Sequence, residues 1–397
     1  MSEAPATQLH TSRAGFGPAP ELTALRDGEG VRRVTMPFGA DVWMVTRYAD
    51  VREVLSDHGR FAMAVESDFL MPVAQPSEEK KAQMRAGNLL AFDPPEHTRL
   101  RRMLTPEFTA RRISRLEPRV GALVEEHLDA MERAGAPADL VPSFAMPIPS
   151  LVICELLGVP YADRSGFGDR ARRILDLRLS LEERAAARVE SRLYMIDLVT
   201  RIKADPGDEL LGMLLREHGD DLTVNEMAGI GNLLLLAGHE TTANMLALGT
   251  LALLRNPDQL ELLREQPELI EPAIEELLRW LSIVHSGTMK ITRTEVVIAG
   301  QVIPPGEFVM CVLPAANRDP ALMSDPERLD ITRGTPGHVA FGHGVHHCLG
   351  APLARMEMRI AFPALLRRFP GLRTVGAEAH FRDSSVVYGV TSLDVTW

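Results

Sequence analysis

Residues 341–350 read Phe-Gly-His-Gly-Val-His-His-Cys-Leu-Gly, a glycine-rich stretch with three histidines and one cysteine. Three glycines within these ten residues let the backbone bend tightly and pass close to a flat object. Cys348 directly precedes a helical run with Pro352 in its first turn, and the free N–H groups at a helix start favour the thiolate form of a cysteine. The stretch therefore predicts a loop built around a metal-bound thiolate.

Two other interpretations of Cys348 stay open at this point. A lone cysteine beside a glycine turn is commonly a buried, inert side chain. Zinc is the second alternative, because His343, His346 and His347 are competent ligands beside the cysteine. Four contiguous candidates cannot easily all face one ion, so the zinc interpretation is the weaker one.

Composition restricts the class of protein. The chain has 397 residues, of which 45% are hydrophobic and only 5% aromatic, and its formal net charge is -11. This hydrophobic content is ample for a buried core, and a chain rich in Met, Leu and Ala suits packed helices better than a β-sandwich. The negative charge argues against binding to nucleic acid or to anionic lipid. We expect a mainly helical protein with a minor β region, forming one domain over residues 1–397.

Cysteine usage and the N-terminal region indicate the compartment. Cys154, Cys311 and Cys348 are widely spaced and odd in number, which argues against a disulfide framework. Residues 1–20 lack the basic start and apolar stretch of a secretory signal. Residues 227–237 are too short an apolar run to span a membrane. We expect a cytoplasmic monomer without membrane attachment.

The longest predicted helix has an unusual centre. It begins at the capping box Thr223-Val-Asn-Glu226 and ends at Asn256-Pro257. About thirty residues at roughly 1.5 Å each give a length of roughly 45 to 50 Å, enough to cross a domain. Residues 233–236 are all leucine, so the middle should be buried. Residues 238–242, Gly-His-Glu-Thr-Thr, are polar at the place where packing alone would select leucine.

Shorter elements surround this helix. The sequence predicts strands within residues 32–45, a helix over residues 48–57, a loop with a short helix over residues 61–92, and strands within residues 296–312. Asp93 is the predicted N-cap of a helix whose first turn holds Pro94-Pro95-Glu96. That helix places His97 and Arg101 four residues apart on one face.

The stretch Phe-Gly-x-Gly-x-His-x-Cys-x-Gly resembles the haem-binding signature of the cytochrome P450 family at every fixed position. Three further segments resemble that family in the same order: Glu276-Leu-Leu-Arg279, Asn317-Arg-Asp-Pro320 and Asp325-Pro-Glu-Arg328. The resemblance extends from about Tyr48 to Trp397. It implies the single-domain fold of the family, with the long central helix crossing the haem, haem b as cofactor, and Cys348 as the iron ligand.

The resemblance also covers the centre of the long helix. Ala237-Gly-His-Glu-Thr-Thr242 is similar to the oxygen-activation motif of the family, which assigns proton delivery to Glu240 and Thr241. Gly238 would leave room beside the haem. Thr241 can bond the carbonyl four residues earlier or open the helix groove to water. The alternative is a purely structural role, in which the threonine bonds only to its own helix.

Haem propionates need cationic partners when they are buried. His97 and Arg101 match the His-x-x-x-Arg helix of the family, and His346 stands two residues before the thiolate. A further position, usually arginine, here reads Lys290, with Arg293 three residues later, and lysine offers a point charge instead of a bidentate fork. The other expected haem contacts are Phe341, Gly342, Ala237 and Gly350.

A charge network is the last implied feature of the site. By resemblance Glu276, Arg279 and Arg328 would form a buried network that locks the loop before Cys348. Without that context, Glu-x-x-Arg is merely a solvated pair on a helix surface. Losing one partner of the buried network should cost several kcal/mol.

The implied reaction inserts one oxygen atom of O2 into a C–H bond of a bulky, mostly apolar small molecule. Residues 281–287, together with Tyr388-Gly-Val390, resemble an actinobacterial subfamily that hydroxylates natural products such as secosteroids, macrolides and statin-like polyketides. Candidate pocket residues are Leu233, Leu236, Ala237, Ile283, Val284 and Val390. Met residues in the 61–92 region suit a lid that tolerates several substrate shapes.

Electrons must come from a separate ferredoxin and ferredoxin reductase, because no flavin domain fits in the rest of the chain. The arginines of residues 99–119 form either a solvated helical face or a docking patch for an acidic redox partner. A peroxide-driven peroxygenase and a non-catalytic haem-binding protein are the alternative functions. Glu240 and Thr241 count against the peroxygenase.

Overall fold

The computed structural model describes residues 9–36, 39–64, 78–285, 289–334, 337–376, 379–382 and 385–397. It contains two compact units. The first unit comprises residues 1–75 and 261–348, and the second unit comprises residues 76–260 and 349–397. The prediction of a mainly helical chain with a minor β region is confirmed. That residues 1–397 form one domain stays a prediction.

A five-stranded sheet organises the first unit. Its strand order is Val31–Thr35, Asp41–Val45, Phe308–Cys311, Met289–Thr292 and Phe61–Met63. The second and third of these strands are parallel, and the other neighbours are antiparallel. Successive side chains of a strand point to opposite faces, so Val309 and Met310 enter two different hydrophobic clusters. The sheet is therefore covered on both faces.

The other elements of the first unit are short. Its described helices are Pro20–Asp27, Tyr48–Ser56, Ile270–Leu281 and Leu313–Ala316, with 3-10 turns at Leu9–Thr11, Pro267–Leu269 and Gly344–His346, and the helix Pro257–Glu265 contains the point where the chain re-enters this unit. Two small antiparallel sheets pair Arg13–Ala14 with Gly17–Pro18 and Val296–Ile298 with Gln301–Ile303. The predicted strands and the helix beginning at Tyr48 are confirmed.

Helices dominate the second unit. Its described α-helices are Glu78–Arg85, Glu96–Leu104, Ala110–Ile113, Glu117–Ala134, Pro147–Leu157, Arg164–Leu175, Leu181–Ala204, Leu210–His218, Val224–Arg255 and Ala351–Arg368, with a π-helical turn at Val141–Ala145 and 3-10 turns at Leu89–Ala91, Thr105–Phe108, Ser114–Leu116 and Tyr161–Asp163. Short strands Ala138–Asp139, Arg373–Thr374, His380–Phe381, Val390–Ser392 and Asp394–Thr396 form two small sheets. No helix in the described ranges combines the length and apolar character needed to cross a membrane.

The helix Val224–Arg255, called here the long helix, is the central element of the second unit. Its predicted start is confirmed, because the Thr223 side chain accepts a hydrogen bond from the Glu226 backbone N–H and the Glu226 carboxylate accepts one from the Thr223 N–H. The 32 residues pack against the helices Pro147–Leu157, Leu181–Ala204 and Ala351–Arg368. Its apolar side chains are therefore buried on several sides at once, as the all-round apolar pattern predicts.

The structure differs from the prediction at the start of the helix Glu96–Leu104 and describes only part of the 61–92 region. The prediction that Asp93 caps a helix is wrong: the helix begins at Glu96 and its N-cap residue is Pro95. The backbone carbonyl of Asp93 accepts a hydrogen bond from the His97 N–H at 3.0 Å. In the 61–92 region, Phe61–Met63 is a strand and Glu78–Arg85 is the predicted short helix, whereas residues 65–77 lie outside the described residues. The lid assigned to them stays a prediction.

Candidate active site

The loop before Cys348 belongs to the first unit and is closed by its own backbone. The Cys348 N–H donates to the Phe341 carbonyl at 2.8 Å, and the Gly342 N–H donates to the Val339 carbonyl at 2.8 Å. Gly344 has a positive φ of 71°, and a Cβ at this position would lie 2.7 Å from the Leu55 carbonyl oxygen. Glycine is thus required here for both the turn and the close packing on the helix Tyr48–Ser56.

Cys348 differs from the other two cysteines in exposure. Its side chain is exposed, whereas Cys154 and Cys311 are buried, and no disulfide joins the three. Burial raises the pKa of the Cys154 thiol to about 11 and that of the Cys311 thiol to about 12. Both buried thiols are therefore protonated near neutral pH, because desolvation disfavours the thiolate. The inert-cysteine interpretation fits Cys154 and Cys311 and does not fit Cys348.

A buried ion pair holds the segment that leads to this loop. Glu276 and Arg279 are both fully buried on the helix Ile270–Leu281, and their side chains are joined by two bonds of 2.7 and 2.8 Å. Arg279 also donates to the carbonyls of Asn317 and Pro326, each at 2.9 Å. The Asp330 N–H donates to Glu276 at 3.0 Å. Since every strong donor and acceptor is matched, the buried charges are compensated.

The prediction that the Arg328 side chain completes this network is wrong. Arg328 is exposed and contributes only its backbone carbonyl, 3.4 Å from the Arg279 guanidinium. The second cation is Arg333, whose Nε lies 3.2 Å from a Glu276 carboxylate oxygen and whose side chain is only 14% exposed. The turn after Asp330 directs Arg333 back into the unit, so the Arg333 side chain reaches Glu276.

Asn317 connects this network to the cysteine loop. Its side-chain oxygen accepts from the Val339 N–H at 2.8 Å, and its amide nitrogen donates to the Ser282 hydroxyl at 2.7 Å. His338 lies 3.2 Å from the Glu275 carboxylate on the same helix as Glu276. Residues 338 and 339 are thus tied to the helix Ile270–Leu281 only two residues before Phe341. These contacts join the network to the start of the cysteine loop, and the locking role stays a prediction.

We expect Glu276→Gln to lower the free energy of unfolding by about 3 to 5 kcal/mol, because it leaves the Arg279 guanidinium buried without its carboxylate. Urea denaturation followed by circular dichroism measures the change. Glu29→Gln is the control, since Glu29 forms an exposed pair with Arg32 and its loss should have little effect. Equal small effects of the two substitutions would contradict a stabilising role for the buried pair.

The centre of the long helix presents an open strip on one side. Ala237 is exposed, and Leu233, Leu236 and Thr241 are half-buried, although most neighbouring residues of the helix are buried. The Thr241 hydroxyl donates to the Ala237 carbonyl at 2.7 Å, which is the predicted bond to the residue four positions earlier. Small side chains at 237 and 241 therefore leave accessible surface in the middle of an otherwise packed helix.

Gly238 has a different role from the one expected. A Cβ at Gly238 would lie 2.9 Å from the Ile153 side chain, so this glycine permits the helix Pro147–Leu157 to approach the long helix. The predicted room at the helix centre is provided by Ala237, the exposed residue beside it.

Glu240 is fully buried and paired with a cation that the motif does not reveal. One carboxylate oxygen, Oε2, lies 2.6 Å from Arg382 Nη1, and the Asn244 amide donates to the same oxygen at 3.3 Å. Arg382 follows the strand His380–Phe381, and its backbone N–H donates to the Gly389 carbonyl. A buried carboxylate needs such compensation. Arg382 lies 142 residues from Glu240 along the chain, and no local pattern marks it.

The predicted propionate partners lie at buried or half-buried positions. His97 is buried and Arg101 half-buried on one face of the helix Glu96–Leu104 in the second unit. In the first unit His346 is half-buried, and Lys290 is only 1% exposed, with Nζ 3.0 Å from the Met63 sulfur. Arg293 is exposed. Burial therefore favours Lys290 over Arg293 as the partner of a buried anion.

Comparison with known proteins identifies the family. The family model for Cytochrome P450 matches residues 172–374. Cytochrome P450 FAS1 of Rhodococcoides fascians is 50% identical over 391 residues, covering 98% of each chain. The chain belongs to the cytochrome P450 family.

Two further P450 relatives agree over nearly the whole chain. The Vitamin D(3) 25-hydroxylase of Pseudonocardia autotrophica is 42% identical over 387 residues, 96% of this chain and 93% of that protein. The crystal structure of CYP105P1 in complex with filipin I matches with a TM-score of 0.91 and 39% identity, covering 100% of this chain and 99% of that one. The predicted P450 fold is confirmed, and the protein is a P450 monooxygenase with haem b as cofactor.

The donor set of the P450 fits this cofactor. The haem iron of a P450 is bound by a thiolate. Cys348 is the exposed thiol on a glycine-rich loop, whereas burial raises the pKa of the other two thiols. The two propionates require cationic hydrogen-bond donors. Imidazole, guanidinium and ammonium side chains of this kind stand at buried or half-buried positions, namely those of His97, Arg101, Lys290 and His346. Phe341, Gly342 and Gly350 are half-buried in or directly after the cysteine loop.

The pocket candidates differ in exposure within their own units. In the second unit Leu233 and Leu236 are half-buried, Ala237 is exposed and Val390 is buried. In the first unit Ile283 is buried and Val284 half-buried. Ile283 follows Ser282, which ends the helix Ile270–Leu281 with a positive φ of 40°. This turn separates Ile283 and Val284 from the helix and places them in a connecting segment.

Proposed function

We propose that this P450 hydroxylates a bulky, mostly apolar natural product, of the secosteroid, macrolide or statin-like polyketide type, with electrons from a separate ferredoxin and ferredoxin reductase. The observation that carries the substrate class is the accessible strip of Leu233, Leu236 and Ala237 on a helix that is otherwise packed. An aliphatic surface of this kind binds apolar molecules by removing their area from water. The relatives named for vitamin D(3) hydroxylation and for a filipin complex support the same class.

We propose that Cys348 is the iron ligand and that His97, Arg101, Lys290 and His346 bind the propionates. When bound, the haem supplies the redox chemistry by which O2 is split and a C–H bond is oxidised. The contribution of Cys348 is an anionic sulfur on a backbone that Asn317 and the Glu276–Arg279 pair hold rigid. Rigid support is expected to keep the thiolate at one position and one basicity.

Thr241 and Glu240 are the residues assigned to proton delivery. The Thr241 hydroxyl is on the accessible strip and bonds to the Ala237 carbonyl, so it can accept one hydrogen bond while donating another. Glu240 is buried with its charge compensated by Arg382, which keeps a carboxylate at the centre of an apolar helix. Release from Arg382 would allow the Glu240 side chain to move and carry a proton.

The docking patch for the acidic redox partner is assigned to part of the 99–119 region. Arg99 is paired with Glu96 and Glu226, Arg112 with Glu107, and Arg119 with Glu155. These ion pairs offset the positive charge of the three arginines. Arg102, Arg111 and Arg115 are exposed and are therefore the cations available to an acidic protein surface. The cytoplasmic location and the monomeric state stay predictions.

The test of the substrate class is a spin-shift screen of the purified haem protein with apolar natural products. Ala237→Phe should weaken the binding of any hit by about tenfold or more, because the larger ring fills the accessible strip. Ala186→Phe is the matched control, since Ala186 is exposed on the separate helix Leu181–Ala204 and should leave affinity unchanged. The absence of hits among apolar compounds, with hits among small polar acids, would contradict the proposed class.

A further inference from the structure

His239, the residue before Glu240, is a second buried titratable group at the centre of the long helix. It is only 5% exposed, and its Nδ1 lies 2.7 Å from the Ser150 hydroxyl on the helix Pro147–Leu157. Its other nitrogen, Nε2, lies 4.0 Å from Glu240 Oε1. Within the described part of the chain, these two facing atoms have no hydrogen-bond partner.

The hydrogen bonds of Ser150 determine which nitrogen of His239 carries a proton. The Ser150 hydroxyl has one hydrogen and donates it to the Met146 carbonyl four residues earlier. Ser150 can then only accept from His239, so Nδ1 must be the N–H donor. In the neutral ring Nε2 is consequently unprotonated and can only accept a hydrogen bond. It faces a carboxylate oxygen, which can also only accept. Two buried acceptors in this position are unfavourable unless one proton lies between them.

We propose that His239 and Glu240 share one proton and that His239 resupplies Glu240 with a proton in each turnover. This inference rests on the proposed proton delivery by Glu240 and Thr241. In the transfer the Glu240 side chain turns toward the ring and closes the 4.0 Å gap, the Nε2–H bond of the imidazolium breaks, and an O–H bond forms at Glu240 Oε1. The products are a neutral imidazole, still bonded to Ser150 through Nδ1–H, and a neutral carboxylic acid. The proton consumed in the reaction is replaced from bulk water.

The charges around His239 suit a proton donor. The charged groups that act on it are Glu240 on its own helix, Arg172 on the helix Arg164–Leu175, and Arg382 after the strand His380–Phe381. Burial, the largest cause, lowers the pKa of His239, and Arg172 and Arg382 lower it further, whereas Glu240 raises it. A lowered pKa makes the imidazolium a stronger acid than an exposed histidine. The Glu240 carboxylate opposes this effect and keeps the proton bound until it is needed.

Close packing holds the ring in place for this transfer. A Cβ at Gly168 on the helix Arg164–Leu175 would lie 3.3 Å from both Cε1 and Nε2 of His239. Glycine therefore allows that helix to lie directly against the ring edge that carries Nε2. With Ser150 bonded to Nδ1, the ring is confined on two sides. On Glu240, Arg382 and Asn244 bind Oε2, which leaves Oε1 on the side of the ring, 4.0 Å from Nε2.

The first measurement concerns the shared proton and needs no turnover. The pKa of His239 is measured by the pH dependence of its ¹³Cε1 resonance in the diamagnetic reduced carbon monoxide form. Glu240→Gln should lower the pKa of His239, because it removes the carboxylate that raises it. His10, a buried histidine of the first unit whose pKa burial lowers to about 4, should titrate unchanged in that variant. An unchanged pKa of His239 would overturn the proposal.

The second measurement separates a proton role from a structural one. His239→Gln should reduce electron-driven product formation by about 100-fold, because glutamine is polar but cannot carry the proton. Product formation driven by hydrogen peroxide, which already brings the two protons, should be unchanged, as should substrate affinity and the thiolate spectrum. In the wild type the electron-driven rate should fall as pH rises and His239 loses its proton, and this dependence should disappear in His239→Gln.

His10→Gln is the matched control and should retain full electron-driven activity, since His10 lies in the first unit outside the site residues. Equal losses of electron-driven and peroxide-driven activity in His239→Gln would assign His239 a structural role and overturn the proposal. If wild-type protein oxidises no apolar substrate with any electron donor, the proposed function fails. The resonance measurement still decides whether His239 and Glu240 share a proton.

Discussion

Replacing Cys348 with histidine is expected to abolish substrate oxidation and to move the reduced carbon monoxide band away from the position of thiolate-ligated haem. The physical reason is the charge of the ligand. An anionic sulfur donates electron density to the iron and favours cleavage of the O–O bond, whereas a neutral imidazole donates much less. The carbon monoxide difference spectrum and product formation in the presence of a ferredoxin and its reductase measure the two effects.

The two buried cysteines provide the controls for this prediction. Cys154→Ala and Cys311→Ala should keep the thiolate band, because burial raises the pKa of both thiols and neither is available as an anion. A small loss of stability from the removed sulfur atoms is expected in both. An unchanged band in Cys348→His, or a shifted band in either control, would assign the iron ligand to another residue.

Local sequence patterns predicted the parts of this P450 that local physics determines. The capping box of Thr223 and Glu226 is formed by residues three apart, so the sequence alone shows that the long helix begins there. Gly344 must adopt a positive φ beside the Leu55 carbonyl, and glycine is the residue that does so without strain. The pairing of Glu276 with Arg279 spans one helical turn and is likewise local.

Local sequence patterns could not predict the contacts between residues far apart in the chain. Arg328 and Arg333 both lie beside the Glu276–Arg279 pair, and the Glu-x-x-Arg motif does not indicate which of the two side chains turns inward. Arg382 reaches Glu240 from a segment 142 residues away, so its role depends on tertiary packing alone. Asp93 failed as a cap because Pro95, two residues later, is itself the N-cap residue. The backbone path, which local patterns do not determine, decides each of these outcomes.

Replacing Thr241 with alanine is expected to leave haem and substrate binding intact while product formation falls by about 100-fold. The alanine variant keeps the helix, because the lost bond to the Ala237 carbonyl is a side-chain bond and not part of the helical ladder. What it removes is the hydroxyl on the accessible strip, which can donate one hydrogen bond and accept another. Electrons should still be consumed and appear as hydrogen peroxide, so the ratio of peroxide to product is the quantity to measure.

Thr241→Ser restores a hydroxyl at the same place and should recover most of the coupled activity, whereas an effect of shape alone would leave serine as poor as alanine. Peroxide-driven oxidation by Thr241→Ala should equal that of the wild type, since peroxide supplies its own protons. If the alanine variant remained fully coupled to its electron donor, proton delivery could not depend on this hydroxyl. Glu240 and its Arg382 partner would then have to act through a different donor on the long helix.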